Sequence, residues 1–177
     1  MHITHRQLLH NGHYKLSQLI VQDGVKELRR ERFEPGQAVA ALVFDTHRQE
    51  YILVRQYRVG AEDEVLEIPA GVLDHEGEAP DEAMRREIME EIGYEVDKLN
   101  LIAGFYPSPG NSAEFIHLYY AEVSRQTAAG GGAAAENEKI EIIRLPLDKL
   151  LQQPIQDGKT WMAIQWAQLH SGNSQQV

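Results

Sequence analysis

The sequence predicts an α+β fold in which sheets pack against helices. Three observations predict it. Segments of strand character outnumber those with helical spacing. The two kinds come in mixed order rather than as a repeating strand-helix alternation. The 177 residues, 42% of them apolar, suit one compact unit with a real core.

The elements follow in order. Residues 16–21 and 25–33 read as strands flanking Asp23-Gly24, a two-residue turn in which glycine takes positive φ, and Glu34-Pro-Gly36 ends this N-terminal antiparallel β-unit. Residues 38–44 and 51–57 are apolar or alternating runs on either side of a polar turn at 45–49, and read as two more strands. Residues 66–70 form a short extended segment whose Pro69 suits a strand end. Residues 80–92 change to helical spacing: Ala83, Met84, Ile88, Met89 and Ile92 supply the apolar side, Pro80 opens the first turn, Asp81 and Glu82 complement the N-terminus and Gly93 stops it. Residues 99–106, 115–123 and 140–145 are expected as strands, and 147–151 and 161–170 as helices. Phe105, Tyr106, Tyr119 and Tyr120 are expected in the core. The low-complexity run 128–135, with Gly130 to Gly132 inside it, reads as a flexible linker, and the tail 171–177 as frayed.

Composition excludes several classes. With no cysteine there is no disulfide framework or thiolate metal site, and a reducing, cytoplasmic location is expected. No apolar run approaches the roughly 20 residues of a bilayer span, and the first residues lack the apolar core of a secretory signal. The eight histidines show no ligand spacing, and His75 is expected at the surface. A net charge of −10 argues against a nucleic-acid partner, since such affinity comes largely from Lys and Arg. Residues 71–98 hold ten acids against three bases, so most of the imbalance lies in one segment.

Within that segment, Glu87, Glu90 and Glu91 stand at i, i+3 and i+4, so their carboxylates share one helix face within a single turn. Such like charges repel, and an i, i+4 pairing of Arg86 with Glu90 recovers only a few tenths of a kcal/mol. Hard divalent cations take oxygen ligands, and a carboxylate turn of this kind suits Mg²⁺ held against a phosphorylated substrate.

The run Arg86-Glu-Ile-Met-Glu-Glu-Ile-Gly-Tyr94, with seven residues between Glu78 and Arg86 and with Gly71 upstream, resembles the Nudix box, Gx5Ex7REUxEExGU with U a bulky apolar residue. It departs at one point: six residues rather than five separate Gly71 from Glu78. The whole chain is similar to the Nudix branch that hydrolyses ADP-ribose and related nucleotide sugars. The similarity rests on Leu28-Arg-Arg-Glu-Arg-Phe33, Arg55-Gln-Tyr-Arg58, Leu66-Glu-Ile-Pro-Ala-Gly71, Ser108-Pro-Gly-Asn-Ser-Ala-Glu114, Glu136-Asn-Glu138 and Asp157-Gly-Lys-Thr160. The resemblance implies an α/β/α sandwich with a mixed sheet between helices, in which residues 1–36 are an N-terminal β-hairpin unit exchanged in a homodimer and 37–177 the hydrolase domain.

It further implies Mg²⁺-dependent hydrolysis of the pyrophosphate of ADP-ribose, giving AMP and ribose 5-phosphate, with two or three ions per site and Mn²⁺ as a substitute. GDP-mannose or another nucleotide sugar is the alternative substrate. Carried over position by position, Ala70 through its carbonyl, Glu87, Glu91 and Glu138 resemble metal ligands. Glu90 and Glu91 resemble catalytic carboxylates, and Glu136 the base for water. Arg58 resembles a phosphate grip, Glu67 and Glu114 substrate-side residues, and Arg30 and Glu31 residues reaching the base from the neighbouring subunit. A non-catalytic nucleotide-sugar sensor on the same fold is expected to lose the metal carboxylates, which this chain keeps.

Overall fold

A computed structural model describes residues 1–73, 75, 77–132 and 139–171. Thirteen elements are assigned among them. Three strands, β1 (His2–Asn11), β2 (Lys15–Asp23) and β3 (Lys26–Glu34), form an antiparallel N-terminal sheet. Then come β4 (Gln37–Asp45), β5 (Glu50–Arg58), β6 (Asp63–Glu67), β7 (Ala70–Val72), α1 (Pro80–Ile92), β8 (Tyr94–Phe105), β9 (Phe115–Gln126), β10 (Glu141–Leu145), α2 (Leu147–Leu150) and α3 (Gly158–Ser171). The second sheet runs β10-β5-β4-β9-β8, with β6 on β5 and β7 on β4; only β4 and β9 pair in parallel.

The apolar run of β4 explains the layering. A strand buried on one face alternates, whereas one covered on both faces reads as continuous hydrophobicity. Val39, Ala41 and Val43 face α1 and pack with Met84, Ile88 and Ile92, while Ala40 and Leu42 face the other way, toward Ala163, Ile164 and Ala167 of α3. All these residues are at most 2% exposed, and each large side chain so buried contributes about 1.5–3 kcal/mol. The result is the expected mixed sheet between helices.

β4 also changes partner midway. Residues Val43 to Asp45 pair with β5, whereas Ala38 to Ala40 pair with β7. The expected single strand at 66–70 is therefore two strands, broken at Ile68-Pro69, because proline has no N–H for the ladder. The Pro69 carbonyl instead accepts from Ala41 N–H at 3.0 Å, and Ile68 N–H donates to the Thr160 hydroxyl at 2.9 Å.

Several further expectations change. β1 was absent from the pattern because every one of its residues is exposed, so no buried face imposes a period; it pairs with β2 through two bulges. β8 begins at Tyr94, directly after the helix, its charged Glu95, Asp97 and Lys98 masking the strand. α3 begins at Gly158 rather than 161, since the Asp157 carboxylate caps it by accepting from Thr160 N–H at 2.9 Å. Tyr119 is buried, and burial raises its pKa and that of the half-buried Tyr120. Tyr106 is not in the core: it lies just beyond the end of β8, is 56% exposed, and meets Phe115 edge-on at 4.9 Å.

The start of the glycine run is pinned rather than loose. Gly131 and Gly132 donate their N–H groups to the carbonyls of Glu91 and Glu90 at 2.8 and 3.2 Å, satisfying orphan acceptors at the C-terminus of α1. Residues 133–138 and 172–177, which include the rest of the expected linker and tail, lie outside the described residues, as do Asp74 and Glu76. No helix of the described residues is long and apolar enough to cross a membrane.

Candidate active site

A cleft of about 870 Å³ opens at the β7-paired end of β4. Its walls come from β4, β6, β7, the start of α3 and the segment after β8, and Tyr14 reaches it from the N-terminal sheet. That sheet is held in place by Phe33, which exchanges backbone hydrogen bonds of 2.9 Å with Asn111 and Ala113.

The carboxylate face of α1 meets the cleft at Ala70-Gly71. Glu87 lies so close over Gly71 that a Cβ there would sit 2.0 Å from the Glu87 carboxyl carbon, so any larger residue displaces that carboxylate. Glu91 is 2% exposed and accepts from Ala70 N–H at 3.2 Å. Arg86 gathers three acids: its Nε and Nη2 fork onto Glu78 at 3.0 and 3.1 Å, and Nη1 reaches Glu87 at 2.7 Å and Glu90 at 3.3 Å. The hydrogen bonds from Arg86 hold Glu78 below the usual carboxylate range, and those to Glu78 raise Arg86 in turn. Glu78 thus retains its Arg86 partner across the lengthened loop.

The cleft lining also carries cations. Arg58, at the end of β5, pairs through Nε with Glu67 Oε1 at 2.5 Å. Lys159 pairs with the other Glu67 oxygen and with Asp157 at 3.1 Å. All four line the cleft, and Glu67 is 2% exposed. Glu67 therefore anchors cations instead of presenting a free carboxylate to solvent.

Among the other expected site residues, Glu114 lines the cleft, its N–H bonded to the Ser112 hydroxyl at 3.1 Å. Arg30 and Glu31 are exposed on β3, and neither lines this cleft. Glu136 and Glu138 lie outside the described residues. Lys159, Tyr14 and Tyr106 line the cleft without having been expected as site residues, Tyr106 having been assigned to the core. The signal for Lys159 was its place in Asp157-Gly-Lys-Thr160, in the first turn of the helix that Asp157 caps; the two tyrosines carry no sequence pattern that separates rim from core.

The arrangement fits a hard divalent cation. Every donor it offers is oxygen, and Glu87 and Glu91 converge on the same β7 backbone, where the absence of a Gly71 side chain leaves room for the Glu87 carboxylate. Among the described residues no group of three or more His, Asp or Glu is gathered about one point, so these two are the described carboxylates of the set.

Comparison with known proteins shows the family. The NUDIX domain model matches residues 34–166. GDP-mannose pyrophosphatase of Escherichia coli (strain K12) is 33% identical over 171 residues, covering 90% of this chain and 87% of that protein. The Klebsiella pneumoniae subsp. pneumoniae protein of the same name is 35% identical over 182 residues, covering 94% and 89%. The crystal structure of ADP compounds hydrolase shares the fold, with a TM-score of 0.81 at 20% identity over 99% of this chain and 96% of that one. With the carboxylate helix, the Gly71 cradle and the mixed sheet in place, the chain belongs to the NUDIX domain family.

Proposed function

We propose that this protein hydrolyses the pyrophosphate bond of a nucleotide sugar, with GDP-mannose as the first candidate and ADP-ribose as the second. The observation that carries the reading is the cleft itself: a space sized for a small ligand, lined by the cations Arg58 and Lys159 and by Ala70-Gly71, against whose backbone Glu87 and Glu91 of α1 lie. Identity of 33–35% over most of the chain to GDP-mannose pyrophosphatases favours GDP-mannose. The ADP-ribose reading rests on the sequence stretches that resemble that branch.

Glu87, Glu91 and the Ala70 carbonyl are the groups that would hold Mg²⁺ or Mn²⁺, with Glu138 as a further donor. A bound cation neutralises phosphate charge and acidifies a coordinated water. The chain's own groups do the remainder. Arg58 and Lys159 grip phosphate oxygens and orient the diphosphate, which is the larger part of catalysis when a phosphoryl group is transferred. Arg86 fixes Glu87 and Glu90 so that their spacing persists when the cleft is empty. Glu136 takes the proton of the attacking water, and Tyr14 and Tyr106 present ring faces suited to a base. The homodimer, in which Arg30 and Glu31 complete the neighbour's site, belongs to the same proposal.

The test is a substrate panel with Mg²⁺, comparing kcat/KM for GDP-mannose, ADP-ribose, ADP-glucose and NADH with products identified. GDP-mannose is expected to lead and to yield GMP and mannose 1-phosphate. A leading rate on ADP-ribose transfers the reading to the second candidate, and inactivity on all four contradicts both.

A further inference from the structure

Burying an ionised carboxylate is unfavourable unless it is paired. Glu67 is 2% exposed, and its two oxygens take two different cations, Arg58 on one and Lys159 on the other. Those cations come from elements far apart in the chain, the end of β5 and the first turn of α3, and both reach the cleft. Like charges repel, so a shared anion between them is what keeps the two at neighbouring positions.

The anchoring closes into a ring. Lys159 is held from its other side by an ion pair with Asp157 at 3.1 Å, so its ammonium sits between two carboxylates. Asp157 Oδ2 accepts from the Thr160 hydroxyl at 2.6 Å, and that hydroxyl oxygen accepts from the backbone of Ile68, the residue after Glu67. Strand end, helix cap and both cations therefore move as one unit. The burial is uneven: the anion is sealed, while the Arg58 side chain is 40% exposed. The exposed part of Arg58 lies at the cleft, where it can meet a ligand.

We propose that Glu67 and Asp157 are positioning residues that hold Arg58 and Lys159 as a paired clamp for the diphosphate of the substrate. The proposal rests on the nucleotide-sugar reading above and deepens it, since it removes Glu67 from direct substrate contact and assigns the contact to the cations it aims.

The test measures binding of GDP and of ADP by calorimetry in EDTA, on the full chain, for wild type, Glu67→Gln, Lys159→Met, Asp157→Asn and the double variant Glu67→Gln/Lys159→Met. Glu67→Gln and Lys159→Met are each expected to weaken binding about tenfold, the scale of one charge-assisted hydrogen bond. The double variant is expected to lose clearly less than the product of the two, because both act through one clamp. Asp157→Asn keeps the helix cap, since asparagine also caps, and is expected to weaken binding about threefold. In turnover, Glu67→Gln is expected to raise KM more than it lowers kcat. Wild-type affinity in folded Glu67→Gln, or losses that multiply in the double variant, overturns the proposal. Should Glu67→Gln fail to fold, undiminished binding by Asp157→Asn overturns it. Absence of turnover by wild type counts against the proposed activity alone, because the clamp is judged on binding without metal.

Discussion

At the scale of single residues, the site depends on contacts too close to tolerate one added carbon. Glu87 rests on Gly71 where a Cβ would stand 2.0 Å from its carboxyl carbon, so Gly71→Ala must push that carboxylate aside. Displacing a reacting constellation by about 1 Å can cost about 100-fold in rate. Gly71→Ala is expected to lower kcat/KM by 10- to 100-fold, read by steady-state kinetics with a Mg²⁺ titration, while circular dichroism stays native. A rate within twofold of wild type would mean that Glu87 is free to move without consequence. The helix carboxylates were legible in the sequence because 87, 90 and 91 share a face at helical spacing. Lys159 was not, since a single lysine acquires meaning only when the Asp157 cap turns it toward Glu67. Glu67, expected as a substrate-side carboxylate, is committed to Arg58 and Lys159, and spacing along the chain does not reveal partners that distant.

At the scale of elements, the C-terminus of α1 is the join on which the site's carboxylates depend. Gly93 adopts φ 75° and ends the helix, its carbonyl accepts from Thr127 and Ala128, and a Cβ on it would lie 2.1 Å from the Ala128 carbonyl oxygen. Gly131 and Gly132 then return to the carbonyls of Glu91 and Glu90. Gly93→Ala suffers both the left-handed conformation and that clash. It is expected to lose more than about 1 kcal/mol, a fall in Tm of at least about 2–4 °C for a chain of this size, measured by thermal melting. An unchanged Tm would contradict the capping role. The glycine run looked like a linker because composition reports flexibility, whereas the hydrogen bonds that pin its first half are long-range. The same limit hid β1, whose ten exposed residues offer no apolar period, and it joined β6 to β7 across Pro69, which has no N–H to give a ladder.

At the scale of the whole molecule, charge and layering have separate origins. Helices packed on sheets were legible in the mixed order of elements, and the α/β/α layering in the resemblance to the Nudix box; its physical cause is that β4 and β5 are apolar on both faces, which leaves helices to cover each side. The net charge of −10, first a global reason to discount nucleic-acid binding, is concentrated around α1, where Arg86 partly neutralises it. That neutralisation makes stability depend on pH. Glu78 is held below its ordinary pKa of 4.5 by hydrogen bonds from Arg86, so the native state binds fewer protons there than the unfolded chain. The contribution is complete above the unfolded value and fades as pH falls through the lower, folded value. Wild type is therefore expected to lose Tm more steeply below about pH 4.5 than Glu78→Gln does, in parallel melts from pH 6 to pH 3. Equal slopes would show that the Arg86 fork carries no linked proton.

The central claim is that the carboxylate face of α1, pressed against Ala70-Gly71, is the reacting centre. Glu91→Gln tests it most directly, because glutamine keeps an oxygen to accept the Ala70 N–H and so leaves the packing in place. The measurement is kcat on the best nucleotide sugar at saturating Mg²⁺, with a melt to confirm the fold. The predicted result is a fall of at least about 100-fold with Tm changed little. Turnover near that of wild type would contradict the claim and place the chemistry elsewhere.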